Sequence, residues 1–337
     1  MFYPSPVTSH VPLSRKLEPD FMRLFCRCLK PWSPWTKDIA RLERRLGHSR
    51  SEQYPKDDLT QFFAILPSTL REAMMIAAGK TEGYTPAGRA ASWAMCETEL
   101  SPLADFLLKE KILTFEKRRR LIESILRINH HIPCLYYSLE IITFIRESLR
   151  LSASVPGCLV EAGAYKGGSA AKLSLAAGLS GRTLYVFDSF SGMPETASDR
   201  LLDGHPISWK RTDLCGTRDE VYANLKRFGR IEHCRLVPGP FARTMPDFHE
   251  PIAAIFMDVD LARSTRTCLR HLYPLLIPGG FVISHDGGFR GVTRLLKDGG
   301  FWERGLGCAK PAIQTLQHRH KALSSRIKPI LMIRKPS

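Results

Sequence analysis

A glycine loop that follows an acid-tipped apolar strand constrains this chain more than any other feature. Leu159-Val-Glu-Ala-Gly-Ala-Tyr-Lys-Gly-Gly-Ser169 reads as a buried strand carrying Glu161 near its tip, a turn from Gly163 to Gly168, and the start of a small-residue helix at Ser169. Some way on, Thr183-Leu-Tyr-Val-Phe-Asp188 is a second apolar strand ending in an acid. Two acid-tipped strands joined through a glycine loop describe an α/β site for a nucleoside-bearing cofactor. The rhythm continues downstream. Strands are expected at 158–162, 183–188, 233–237, 252–258 and 280–285, and helices at 168–178, 217–228 and 264–275. This alternation predicts an α/β fold, a doubly wound, mostly parallel, Rossmann-like sheet covered on both faces.

Three segments are expected along the 337 residues: an irregular, proline-bearing 1–56, a helical 57–151, and a cofactor-binding domain at 152–337 that ends in a basic tail. In the helical segment, Leu121-Ile-Glu-Ser-Ile-Leu126 and Leu139-Glu-Ile-Ile-Thr-Phe-Ile145 repeat apolar residues near the helical period. By position it reads as a cap over the site or as the contact surface of a homo-oligomer. No run reaches the ~18 apolar residues of a membrane span, and the start of the sequence lacks the apolar core of a secretory signal. Nine scattered cysteines, without paired C-x-x-C spacing, fit a reduced, cytoplasmic setting rather than a zinc site or a disulfide framework.

Net charge is +16, and much of it falls late, at Arg290, Arg294, Lys297, Arg304, Lys310, Arg319, Lys321, Arg326, Lys328, Arg334 and Lys335. Such a tail suits a solvated surface, and it also admits nucleic acid as an alternative partner. Its cations are not interleaved with aromatics as in single-strand binders.

The glycine order decides between cofactors. A dinucleotide loop reads G-x-G-x-x-G and brings its amides to a pyrophosphate. Here the order is Gly163-Ala-Tyr-Lys-Gly167-Gly168, and Glu161 directs a carboxylate at the loop. That charge repels a pyrophosphate and suits a cofactor bearing an ammonium and a sulfonium, which S-adenosyl-L-methionine has. Asp188 is then placed to accept from ribose hydroxyls.

At the reacting end, Asp258 closes the strand Ile252-Ala-Ala-Ile-Phe-Met257, and His285-Asp286 closes Phe281-Val-Ile-Ser284. Acids on neighbouring strand tips suit a hard cation such as Mg²⁺, which could grip two oxygens of a diol-like acceptor and lower a hydroxyl pKa. Three readings of His285 stay open: a metal ligand with Asp258 and Asp286, a general base oriented by Asp286, or part of a loop-capping pair. Asp260 is a further candidate ligand, though strand alternation would turn it to the face opposite Asp258. His205 and Trp209 are candidates for the acceptor side.

Four blocks carry a resemblance: "VEAGAYKGGSA" (160–170), "YVFDSFSGMPE" (185–195), "RDEVYANLKRFGRIEHCRLVPGPFARTMP" (218–246) and "FMDVDLARSTRTCLRHLYPLLIPGGFVISHD" (256–286). In this order they resemble the macrocin O-methyltransferase family of class I S-adenosylmethionine enzymes, which methylate sugar hydroxyls on antibiotics. The resemblance implies that Glu161 and Gly163 flank the methionine moiety, Asp188 and Ser189 the ribose, and Gly239 to Phe241 the region near the adenine. It implies a hydroxyl on a sugar or natural product as the acceptor. The chain departs from the family where His285 stands in place of an acid and where Ala262-Arg263 replaces Tyr-Glu. Those departures keep two rivals in view, an RNA-directed methyltransferase that uses the basic tail and a non-catalytic cofactor-binding protein.

Overall fold

A computed structural model describes residues 83, 99, 102–103, 105–107, 109–134, 138–152, 155–194, 198–200, 204–210, 213–316 and 329–336. The expectations for 1–56 and nearly all of 57–98 lie outside these residues, as do tail residues 317–328.

Among the described residues, two complete helices precede the sheet. In α1 (Phe115–His131), the Thr114 hydroxyl accepts from the Lys117 amide and Glu116 sits in the first turn, both favourable at a helix N-terminus. Next comes α2 (Ser138–Arg150), which buries Ile141, Ile142, Phe144 and Ile145. Strand β1 (Cys158–Ala162) is buried throughout. The chain then continues through α3 (Gly168–Ser180), β2 (Leu184–Asp188), a hairpin of β3 (Ser198–Arg200) and β4 (Pro206–Ser208), α4 (Arg218–Phe228), β5 (Cys234–Pro238) and the short α5 (Phe241–Thr244). The remaining elements are β6 (Ile252–Met257), α6 (Ala262–Leu272), β7 (Leu276–Ser284), α7 (Arg290–Lys297), β8 (Ile313–Leu316) and β9 (Ile330–Arg334).

Seven strands form one sheet in the order β5-β2-β1-β6-β7-β9-β8. The pairings from β5 to β7 are all parallel, and β9 lies antiparallel to both β7 and β8. The α/β, doubly wound expectation is therefore met. Successive strand residues enter opposite cores, as the pleat requires. Leu159 packs with α1, α2, α3 and α4, whereas Val160 packs with α6 and α7. Phe144 of α2 meets Phe256 and Phe281 edge-on, with centroids 5.8 and 5.5 Å away. The helices before residue 151 thus lie in the sheet's own core.

Strand order reverses between β1 and β6, and ligands of open α/β sheets bind at the carboxyl end of such a switch point. Two tail cations serve the fold here. Arg334 pairs with Glu147 at 2.8 Å, and Lys335 Nζ donates to the carbonyls of Tyr273, Pro274 and Leu276.

Candidate active site

Glu161, one residue before the end of β1, is wholly buried, and neither carboxylate oxygen has a hydrogen-bond partner. Ser169, in the first turn of α3, is equally buried with an unpartnered hydroxyl. Burial pushes the Glu161 carboxyl up to about 8. Nearby Ser169 and Lys172 draw it down, and the charges of Asp188 and Asp258 push it further up. A buried carboxyl without a partner is costly, so this corner calls for a donor or a cation from outside the chain.

The loop between β1 and α3 is held open by special backbone. Gly163 has φ +87, and a Cβ there would come within 1.9 Å of the Asp258 carbonyl. Tyr165 takes the left-handed conformation at φ 48, and Gly167 does so at φ 81. Asp188 at the tip of β2 pins this loop: its Oδ2 accepts from the Ala164 and Tyr165 amides at 2.6 and 3.3 Å. Its Oδ1 accepts from Phe190 at 2.7 Å. A carboxylate has about four acceptor positions, so Asp188 keeps little capacity for a ribose. Burial raises its pKa and the three amides draw it back. The Ser189 hydroxyl serves its own turn, donating to the Gly192 carbonyl. Gly239 donates to the Asp188 carbonyl at 2.9 Å, which brings the start of α5 and Phe241 alongside β2.

The second group of acids lies across the switch point. Ligand oxygens of Asp258, Asp260 and Asp286 fall within 4.8 Å of one another. Asp286 Oδ2 accepts from the Val259 amide at 3.0 Å, while its Oδ1 is buried without a partner. Burial first, then the charges of Asp258 and Asp260, hold the Asp286 carboxyl well above the usual carboxylate range. A hard divalent cation fits this donor set, because it would both satisfy the orphaned oxygen and relieve the mutual repulsion.

Two expectations are corrected. Asp260 does not turn to the opposite face, because β6 ends at Met257 and Asp260 has φ 57. Strand alternation no longer governs it, and its carboxylate joins the other two. His285 stands outside that trio, and an acid on α2 meets its ring. Its Nδ1 lies 2.8 Å from Oε2 of Glu140, a buried acid on α2. Glu140 is the residue that sequence reasoning missed. Its signal was an acid on the helical face that carries Phe144, in a helix that buries four large apolar side chains.

His205 is exposed beside β4, and Trp209 packs into the core on the α6–α7 side with its indole nitrogen enclosed and unpartnered. Arg263 is exposed at the start of α6.

The doubly wound sheet with acid-tipped β1 and β2 at its switch point has the layout of an α/β domain that binds a nucleoside-bearing cofactor. Residues 145–299, running from the end of α2 through α7, match the family described as Macrocin-O-methyltransferase (TylF), and over that span the chain is similar to it. It is also similar to the 8-demethyl-8-(2,3-dimethoxy-alpha-L-rhamnosyl)-tetracenomycin-C 4'-O-methyltransferase of Streptomyces olivaceus, with 37% identity over 143 residues, 40% of this chain and 55% of that protein. With the mycinamicin III 3''-O-methyltransferase of Micromonospora griseorubida the identity is 34% over 149 residues, covering 40% of this chain and 57% of that protein. A solved structure, that of the O-methyltransferase NovP, aligns at 21% identity and a TM-score of 0.47 over 60% of this chain and 81% of that one. The chain spans about half the length of the curated relatives it matches. The resemblance read from the four sequence blocks is borne out.

Proposed function

We propose that this chain is an S-adenosyl-L-methionine-dependent O-methyltransferase that acts on a hydroxyl of a small molecule of the sugar or natural-product type, with Mg²⁺ at the Asp258, Asp260 and Asp286 cluster. One observation carries the reading. On a molecule of net charge +16, acids stand at or beside the tips of four adjacent strands: Asp188, Glu161, Asp258 and Asp286. A crevice of that sign selects cations, and S-adenosylmethionine and Mg²⁺ are both cationic. Glu161 and Ser169 offer unsatisfied acceptors to the ammonium. Asp188 fixes the loop backbone against the ribose side, and Gly239 and Phe241 border the adenine side.

In the transfer, a carbon–oxygen bond forms as the carbon–sulfur bond of the sulfonium breaks, and the hydroxyl proton passes to a carboxylate. Bound Mg²⁺ would supply Lewis acidity and hold the acceptor's oxygens in place. Asp258 and Asp286 are assigned as its carboxylate ligands. Asp260, fixed by a strained backbone, is assigned to receive the proton, since single-residue strain at a site maintains an orientation. All six described cysteines are free thiols, which agrees with a cytoplasmic setting. Among the described residues no helix is long and apolar enough to cross a membrane.

Calorimetry with S-adenosylmethionine, with and without Mg²⁺, tests the reading, followed by transfer of a labelled methyl group to glycosylated small molecules. Binding that is lost in Glu161→Gln, together with turnover abolished by EDTA, is expected. Absence of cofactor binding, or label appearing only in RNA, would overturn it.

A further inference from the structure

A half-buried cysteine and a buried lysine meet behind the cofactor loop. Cys134 follows α1, and Lys172 lies on α3, three residues past Ser169. Lys172 is 1% exposed, and its Nζ lies 3.0 Å from the Cys134 Sγ. The thiol in turn donates to Oδ1 of Asn129 at 3.4 Å. Gly168, the first residue of α3, leaves room for this contact, since a Cβ there would sit 2.8 Å from that of Cys134. Burial pushes Glu99 up to about 7 and Glu161 up to about 8, and the charge of Lys172 draws both down. Those acids account for a buried cation on α3. They do not account for a sulfur at its tip, because sulfur is a weak hydrogen-bond acceptor. Three other cysteines differ in kind. Cys158, Cys234 and Cys268 are buried, and burial pushes the first two thiols up to about 12. Reactive thiols are instead partly exposed with a cation beside the sulfur, as Cys134 is.

We propose that Cys134 and Lys172 form an oxidation site, at which peroxide leaves one oxygen bridging Sγ and Nζ and so ties the exit of α1 to α3. This does not rest on the function proposed above. A first peroxide oxidises the thiol to a sulfenic acid and departs as water. Lys172 then reacts as the neutral amine, its ammonium proton having passed to solvent. A second peroxide takes up one hydrogen from the amine and one from the sulfenic acid and leaves as two waters, while the sulfenic oxygen bonds to nitrogen. In sum, one thiol, one amine and two peroxides give one N–O–S link and three waters. Two dithiols reverse the link and release its oxygen as water. The geometry favours an oxygen bridge over a direct sulfur–nitrogen bond. Atoms 3.0 Å apart need only a small movement of the flexible lysine stem to share one oxygen, whereas a direct bond would draw them much closer. Tethering residues 38 positions apart restricts the unfolded chain as a disulfide does, so the bridged protein is the more stable form.

The test exposes the full chain, free of S-adenosylmethionine, to hydrogen peroxide, then digests it with trypsin and weighs the peptides at high mass accuracy. The peptide holding Cys134 should be joined to the one holding Lys172, with a gain of one oxygen less two hydrogens. Accurate mass is needed because a methyl group adds nearly the same amount. Trypsin should no longer cut after Lys172, and dithiothreitol should restore both the cut and the separate peptides. The melting temperature should shift upward on oxidation and return on reduction. Cys134→Ser and Lys172→Arg should each lose the link and the shift. Treated protein in which Cys134 is unmodified or sulfinic while trypsin still cuts after Lys172 overturns the proposal without any variant. So does a Cys134 disulfide, or a link to Lys172 that lacks the oxygen. A link that survives dithiothreitol, or that leaves the melting temperature unchanged, overturns it as well.

Discussion

Glu161 shows how a single carboxyl can set a pH dependence. Its ordinary value of 4.5 is pushed up to about 8 in the cofactor-free fold, with burial as the largest cause. Between those two values the folded state holds a proton that the unfolded chain has released, so stability falls as pH rises from about 4.5 to about 8 and then levels. A cation placed against the orphaned oxygens favours the ionised form and drives the proton off. Cofactor binding below pH 8 should therefore release close to one proton per site, and affinity should climb with pH until it levels above that value. Calorimetry in buffers of different ionisation enthalpy counts the protons, and a count of zero contradicts the assignment. Glu161→Gln should melt higher than the unsubstituted protein at pH 9 without cofactor, while binding S-adenosylmethionine at least tenfold more weakly. Asp188, Glu161, Asp258 and Asp286 were legible because each ends an apolar run. Asp260 and Glu140 were not. The first depends on one left-handed backbone angle, and the second on a contact with a residue 145 positions away.

The loop from Gly163 to Gly167 and the tip of β6 act together as one element of the site. Asp258 donates its amide to the Ala162 carbonyl at 3.0 Å, and Gly163 leaves room for the Asp258 carbonyl where a Cβ would sit 1.9 Å away. The cofactor loop and the first metal-side acid are thus in backbone contact. Gly163→Ala faces both a left-handed φ and that overlap, so it should destabilise the chain by more than ~1 kcal/mol and weaken cofactor and Mg²⁺ binding together. Urea denaturation gives the first quantity and calorimetry the other two. Loss of cofactor binding with intact stability and Mg²⁺ binding would contradict a shared tip. At this scale the sequence was most readable where strands are apolar and bounded by glycine. It was least readable after residue 286. There α7 offers only Val292, Leu295 and Leu296 to the core among several cations, and β9 reaches the sheet by pairing antiparallel to β7.

Across the whole molecule, the sheet alone does not make the core. Ile141, Ile142, Phe144 and Ile145 of α2 are 0 to 3% exposed, and Ile125, Leu126 and Ile128 of α1 are 0 to 1% exposed. Each such side chain contributes about 1.5–3 kcal/mol when fully buried, and the net stability of a domain is only about 5–15 kcal/mol. The two helices are therefore part of the core that covers the sheet. A chain starting at residue 152 keeps every residue of the cofactor loop and of the acid trio, and by motif alone it looks complete. It would leave the α1–α2 side of the sheet open to water, including Phe256 and Phe281, which Phe144 otherwise covers. Such a chain should lack a cooperative thermal transition by circular dichroism, bind a hydrophobic dye, and fail to bind S-adenosylmethionine. Cooperative folding of the shorter chain would mean that α1 and α2 are an appendage after all, and Glu140 would then reach His285 from outside the fold rather than from within it.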